Sequence, residues 1–162
     1  RLIFVFFVQM PVIENKDFSE IVGKNCRLLG IDPGKKNIGI AISDPRQKIA
    51  TPHKTVILKK FKKFVQELNS IIIEYQIKGI VIGNPINMDG SSGPRSQSAK
   101  DFAKNISQIT KLPLTLWDER LSSEGAFKMM SNLDVNTTKK LEKLDENAAG
   151  FILQGFLDYL NK

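Results

Sequence analysis

The 162-residue chain has little of the chemistry that zinc enzymes and serine hydrolases use. It contains one cysteine, Cys26, and one histidine, His53. A single cysteine cannot form an internal disulfide, which suits a protein of the reducing cytoplasm. One histidine and one cysteine offer no repeated ligand spacing for zinc. Neither a Ser-His-Asp arrangement nor a Walker phosphate loop is recognisable, so the chemistry must rest on other side chains.

Long hydrophobic runs are also absent. The opening RLIFVFFV is apolar, but it is shorter than the roughly 20 residues that a membrane-spanning helix needs, and no small-residue cleavage site follows it. We therefore expect a cytoplasmic protein with no membrane partner. Its length predicts a single folded domain over residues 27–162, preceded by an N-terminal extension over residues 1–26.

Acidic residues are outnumbered by basic ones. Lys and Arg total 24 against 17 Asp and Glu, which gives a net charge of +7 and a pI near 9.5. A basic surface attracts phosphate-bearing partners over the range of a Debye length. The composition therefore favours nucleic acid as the partner.

The hydrophobic pattern predicts alternating strands and helices. Two short apolar runs, 27–32 and 37–43, flank a Pro-Gly-Lys-Lys turn and predict a hairpin. Helical spacing of apolar residues predicts a helix over 59–76. The other predicted elements are strands at 49–58, 79–83 and 112–117, helices at 94–109, 122–131 and 141–160, and a polar loop at 132–140. This order predicts a five-stranded mixed sheet flanked by helices, in an α/β domain.

Acidic side chains follow two of the predicted strands. Asp32 ends the first core strand, and Asp118 and Glu119 end the last. Functional groups of α/β sheets collect at such strand ends. Side chains alternate along a strand, so only one of Asp118 and Glu119 should face Asp32. The alternatives are an ordinary Asp-Pro-Gly turn at Asp32 and an acid pair that favours the dipole of the next helix.

A third acid, Asp145, falls near the centre of the apolar face of the final helix. A carboxylate there requires a cation or a basic partner, so a structural salt bridge is the alternative. With Asp32 and Glu119 it could converge on Mg²⁺ or Mn²⁺, with two ions expected. Nearby basic residues are candidates for phosphate contact: Lys35, Lys36 and Arg95. Lys59, Lys60, Lys62 and Lys63 fit either a solvated helix face or phosphate contact.

Four ordered motifs carry a family resemblance over about residues 27–160. They are GIDPGKKNIGIAISDP, IVIGNPINMDGSSGP, LWDERLSS and LDENAAGFILQGFLDYL. Together they resemble the YqgF/RuvX family of RNase H-like Holliday junction resolvases, also described as pre-16S rRNA nucleases. The resemblance implies an RNase H-like nuclease domain that uses a divalent metal and matures the 5′ end of 16S rRNA, with ribosomal particles among its partners.

The family's acids match three positions of this chain, Asp32, Glu119 and Asp145, which the resemblance makes catalytic and metal-binding. Asp118 is a candidate helper and Arg120 a candidate substrate contact. One departure is Asn84, which stands where the family usually has leucine.

Other functions remain open at this stage. The same motifs fit a resolvase acting on four-way DNA, and the basic surface fits a non-catalytic nucleic-acid binder in transcription or ribosome assembly. The hairpin also resembles the phosphate loop of actin-like sugar kinases, but 162 residues cannot hold the second lobe of such an enzyme. The choice of RNA or DNA, the cleavage site and the state as monomer or homodimer are not determined by the sequence.

Overall fold

A computed structural model of the protein describes residues 12–87, 89–121 and 147–162. No helix in these ranges has the length and apolar character to cross a membrane. The strands are β1 (Val12–Ile13), β2 (Arg27–Pro33), β3 (Asn37–Ser43), β4 (Ala50–Ile57), β5 (Ile77–Asn84) and β6 (Leu114–Asp118). The helices are α1 (Asn15–Val22), α2 (Phe61–Tyr75), α3 (Pro94–Thr110) and α4 (Ala148–Leu160).

The strands form one mixed sheet in the order β1-β6-β5-β2-β3-β4. The hairpin pairs β2–β3 and β3–β4 are antiparallel, whereas β2–β5, β5–β6 and β1–β6 are parallel. The predicted mixed α/β sheet flanked by helices is confirmed, but the sheet has six strands rather than the predicted five. The extra strand, β1, has only two residues, too few to show a periodic pattern.

The described part of the N-terminal extension packs on the sheet. Phe18 of α1 is fully buried, and its ring meets that of Phe156 edge to face at a centroid distance of 5.5 Å. The Asn15 side-chain amide donates to Thr115 Oγ1 at 2.7 Å and to the Leu116 carbonyl at 2.8 Å. These contacts hold α1 against β6.

Each face of the sheet carries its own layer of helices. Helices α2 and α3 cover one face through Phe64, Leu68 and Ile106, and α1 and α4 cover the other. On the α4 face the sheet presents small residues, which lets the helix approach closely. A Cβ added at Gly30 would lie 2.7 Å from Leu153 Cβ. This close approach places the start of α4 beside the end of β2.

Most predicted elements in the described ranges are present. The helix expected over 59–76 is α2, the strand expected at 79–83 is β5, and the helix expected from Pro94 is α3. The predicted helix 122–131, the loop 132–140 and the first residues of the final helix, with Asp145, lie outside the described residues.

Candidate active site

Asp32 stands at the carboxyl end of β2, half-buried on the α4 face of the sheet. It pairs in register with Gly39 of β3. A Cβ added at Gly39 would lie 3.6 Å from Asp32 Cβ and 3.3 Å from Ala149 Cβ. The Asp32 side chain therefore lies close to the first turn of α4.

Glu119 reaches Asp32 from the other side of β5. It follows β6 directly, two positions after Trp117, whose ring packs on Phe156 of α4 at 5.7 Å. Glu119 and Asp32 share a side-chain hydrogen bond. Strand β5, which lies between them, has no side chain at this point because residue 83 is glycine. A Cβ added at Gly83 would lie only 2.6 Å from Glu119 Oε1. Gly83 thus leaves the space in which the two carboxyl groups meet.

Burial and the neighbouring charges together set the pKa of Glu119. Burial is the main cause that raises its pKa to about 7, and the negative charge of Asp32 raises it further. The positive charge of Arg95 opposes both effects. Two carboxyl groups this close cannot both ionise cheaply, so the pair keeps a proton until the pH rises to about 7. Paired oxygen donors with excess negative charge fit a hard divalent cation such as Mg²⁺ or Mn²⁺.

Asp118 binds a different partner, Arg120, although its negative charge also contributes to the raised pKa of Glu119. Its carboxylate binds the Arg120 guanidinium, with Nε at 3.1 Å from Oδ1 and Nη2 at 2.6 Å from Oδ2. These hydrogen bonds hold the pKa of Asp118 below its usual value. The sequence predicts that only one of Asp118 and Glu119 faces Asp32, and in the structure that residue is Glu119. Arg120, a candidate substrate contact, has its guanidinium engaged by Asp118.

Arg95 lies in the first turn of α3, exposed, and its charge acts on Glu119. The neighbouring Ser96 is fully buried and donates from Oγ to Asn84 Oδ1 at 2.7 Å. The sequence marks Asn84 as a departure from the family pattern, but it does not reveal this partner. A buried side-chain amide needs a hydrogen-bond partner. The serine in the first turn of the next helix was the sequence feature that could have suggested this partner.

Lys35 and Lys36 lie in the β2–β3 turn, both exposed. The turn is fixed from within by the Gly34 N–H, which donates to the Asp32 carbonyl at 3.1 Å. No group of three or more Asp, Glu, His and Cys side chains able to hold a metal occurs in residues 12–87, 89–121 and 147–162. The described part of the site therefore consists of Asp32 and Glu119, with Asp145 outside the described residues.

The fold and its paired carboxyl groups, on a chain of net charge +7, fit the class of hydrolases that cleave phosphodiester bonds in nucleic acid. A family model described as RuvX, Holliday junction resolvase, matches residues 26–159. The chain belongs to this RuvX family.

Two relatives and a solved structure illustrate what the chain is similar to. A protein of Pelagibacter ubique (strain HTCC1062) named "Putative pre-16S rRNA nuclease" is 49% identical over 150 residues, which cover 93% of this chain and 99% of that protein. A protein of the same name from Rhodobacter capsulatus is 46% identical, over 89% of this chain and 91% of its own length. The Thermus thermophilus RuvC structure aligns with a TM-score of 0.49 and 9% identity, over 84% of this chain and 97% of RuvC.

Proposed function

We propose that the protein is a divalent-cation-dependent endonuclease of the cytoplasm that matures the 5′ end of pre-16S rRNA. The observation that carries the proposal is the hydrogen-bonded pair of Asp32 and Glu119 at the carboxyl edge of the sheet. The names of relatives at 46–49% identity, each a putative pre-16S rRNA nuclease, support the choice of substrate.

Asp32, Glu119 and Asp145 are the residues that would hold Mg²⁺ or Mn²⁺, with two ions expected. The Asp32–Glu119 pair fits such an ion, since its ligand atoms would be carboxyl oxygens, which hard divalent cations prefer. Burial and mutual repulsion disfavour ionisation of both acids, and a bound cation would neutralise their charges. When bound, such ions supply Lewis acidity for the attacking water and for the leaving oxygen of the phosphodiester.

The chain's own residues have separate tasks in this proposal. Glu119 gives up the proton it shares with Asp32, so that both carboxylates become available to a cation as the pH rises through about 7. Arg95, which acts on Glu119 from α3, binds a phosphate beside the cleaved bond. Lys35 and Lys36 bind phosphates on the β3 side of Asp32, while Asp118 and Arg120 stabilise each other at the end of β6.

The test is cleavage by the purified protein of a pre-16S rRNA fragment with an extended 5′ end, in Mg²⁺ or Mn²⁺. A four-way DNA junction runs in parallel, because the family description names a junction resolvase. We expect the RNA to be cut at a discrete position, mapped by primer extension, and the junction to be cut more slowly. Efficient cleavage of the junction alone would contradict the proposed substrate. Binding of both without cleavage of either would indicate a non-catalytic factor.

A further inference from the structure

Six exposed lysines lie beside the candidate active site. Two occupy the β2–β3 turn, and four occupy the connection from β4 and the first turn of α2. We call them the lysine surface: Lys35, Lys36, Lys59, Lys60, Lys62 and Lys63.

Backbone contacts join the two segments of the lysine surface. The Leu58 N–H donates to the Lys36 carbonyl at 2.7 Å, and Asn37 pairs in register with Ile57. The α2 helix is then anchored to the sheet by the buried side chains of Phe64 and Leu68. The lysines therefore belong to one ordered part of the molecule, at the same edge of the sheet as Asp32.

Within the part of the chain that the structure describes, no ion pair balances the charge of the lysine surface. Between residues 33 and 66 the only acid is Asp44, which lies at the opposite end of β3. None of the six lysines forms an ion pair with any residue in the described ranges, and the nearest acid of α2, Glu67, binds Lys54 at 3.1 Å. The first turn of α2 contains no acid, although the positive end of a helix dipole disfavours cations there. This arrangement costs stability in the free protein, and a polyanion would offset the cost.

The position of the lysine surface indicates the form of that polyanion. Neighbouring strands are about 4.8 Å apart, so β4 and the start of α2 lie roughly 10 Å from Asp32, within the width of a double helix. Single-strand binding relies on aromatic side chains that stack on bases. The aromatic residue within this surface, Phe61, instead packs near Phe64 and Phe102, at 6.4 Å between ring centroids in each case.

We propose that the lysine surface binds the phosphate backbone of a double-stranded arm that adjoins the cleaved bond. It selects structured substrates and leaves the chemical step to Asp32 and Glu119. This inference rests on the proposed nuclease function for the location of the cleaved bond.

The experiment measures binding and cleavage separately. One variant changes Lys59, Lys60, Lys62 and Lys63 to Gln, and a matched control changes the exposed Lys24, Lys78, Lys111 and Lys162 to Gln, which removes the same charge elsewhere. Binding is measured without divalent cations, by fluorescence anisotropy, on a 24-base-pair RNA duplex, a DNA duplex and a single-stranded RNA. Single-turnover cleavage of the pre-16S fragment is then measured in Mg²⁺.

We expect the lysine-surface variant to lose about tenfold or more in affinity for duplex. The slope of log affinity against log salt concentration should become shallower by about two to four, because each lost phosphate contact removes roughly 0.9 from its magnitude. The affinity of the control for duplex, and that of the lysine-surface variant for single-stranded RNA, should change by less than about threefold. The variant should keep the wild-type cleavage rate at saturating substrate. Comparison of the RNA and DNA duplexes shows which backbone is preferred.

Equal losses in the control and the lysine-surface variant would overturn the inference, since net charge alone would then explain binding. Unchanged duplex affinity would overturn it as well. If the wild type cleaves nothing but the variant still loses duplex affinity selectively, the binding surface stands and the proposed nuclease function fails.

Discussion

Asp32 and Glu119 share a hydrogen bond across β5, at a point where Gly83 leaves that strand without a side chain. Asp32 lies on β2 and Glu119 directly after β6, and these two strands are not neighbours in the sheet, because β5 separates them. A larger residue at position 83 would occupy the space in which they meet. The glycine is therefore as much a part of the candidate site as the two acids.

Replacing Gly83 with alanine should damage cleavage more than folding. The added Cβ would lie 2.6 Å from Glu119 Oε1 and 2.5 Å from Ile152 Cδ1, so Glu119 must move. We expect a loss of roughly 1–3 kcal/mol in unfolding free energy from overpacking, and a fall in cleavage rate well beyond that of an equally destabilised protein. Urea unfolding and single-turnover cleavage provide the two readouts.

Gly30→Ala is the matched control for this change. Its Cβ would press on the same helix, at 2.7 Å from Leu153 Cβ, but away from Glu119. It should be destabilised to a similar degree and still cleave. Equal loss of cleavage in the two variants would mean that Gly83 acts only through the packing of α4.

The metal-free protein should become less stable between about pH 4.5 and pH 7. The pKa of Glu119 is raised from 4.5 to about 7 in the folded state, so the folded protein holds this proton more tightly than the unfolded chain. The stabilisation is fully present below pH 4.5, is lost as the pH rises through 7, and amounts to at most about 3 kcal/mol.

Thermal unfolding in EDTA, followed across this pH range, measures the effect. Glu119→Gln should flatten the curve between pH 4.5 and pH 7, and Mg²⁺ should restore part of the wild-type stability at pH 7.5. A wild-type curve that rises through this window and is unaffected by Glu119→Gln would show that the carboxyl pair does not carry the shared proton.

The buried pair of Asn84 and Ser96 should behave as a unit. Ser96→Ala leaves Asn84 Oδ1 without its hydrogen bond and should cost about 1–3 kcal/mol in unfolding free energy. The double variant Asn84→Leu with Ser96→Ala, which replaces the polar pair by apolar groups, should recover most of that loss. Chemical unfolding of both single variants and the double variant tests this, and simple additivity of the losses would argue against a shared role.

Asp118 should matter much less than Asp32. Its carboxylate is held by Arg120 at 2.6 Å on a partly exposed surface, where ion pairs contribute about 0–1 kcal/mol. We expect Asp118→Asn to keep most of the cleavage rate and to change stability by less than about 1 kcal/mol. Cleavage as low as that of Asp32→Asn would show instead that Asp118 takes part in the reaction.

The sequence predicts the elements of this fold well where a pattern of apolar residues extends over a long segment or where clear turn residues occur. The hairpin, α2, β5 and α3 follow from apolar spacing and from turn residues such as Gly34 and Pro94. It does not predict β1, since two residues carry no period, nor the packing of α1 through Phe18. That contact depends on partners far along the chain, which local patterns do not contain.

The candidate site, like the fold, can be predicted from the sequence only in part. Strand ends and alternation point to Asp32 and to one of Asp118 and Glu119, but the choice of Glu119 depends on which face of β6 packs on α4. The role of Gly83 is invisible in the sequence, because its importance lies in the side chains on either side of it. The pairing of Asn84 with Ser96 is likewise a tertiary contact.

Single-turnover cleavage of the pre-16S fragment by the wild type, Asp32→Asn and Glu119→Gln, titrated with Mg²⁺, tests the central claim most directly. Each substitution keeps the size of the side chain and removes its negative charge, and Asp101→Asn on the exposed side of α3 is the matched control. We predict that both site variants lose at least about 100-fold in rate, that the control cleaves normally, and that EDTA abolishes wild-type cleavage. Wild-type rates in either site variant, or undiminished cleavage in EDTA, would contradict the account.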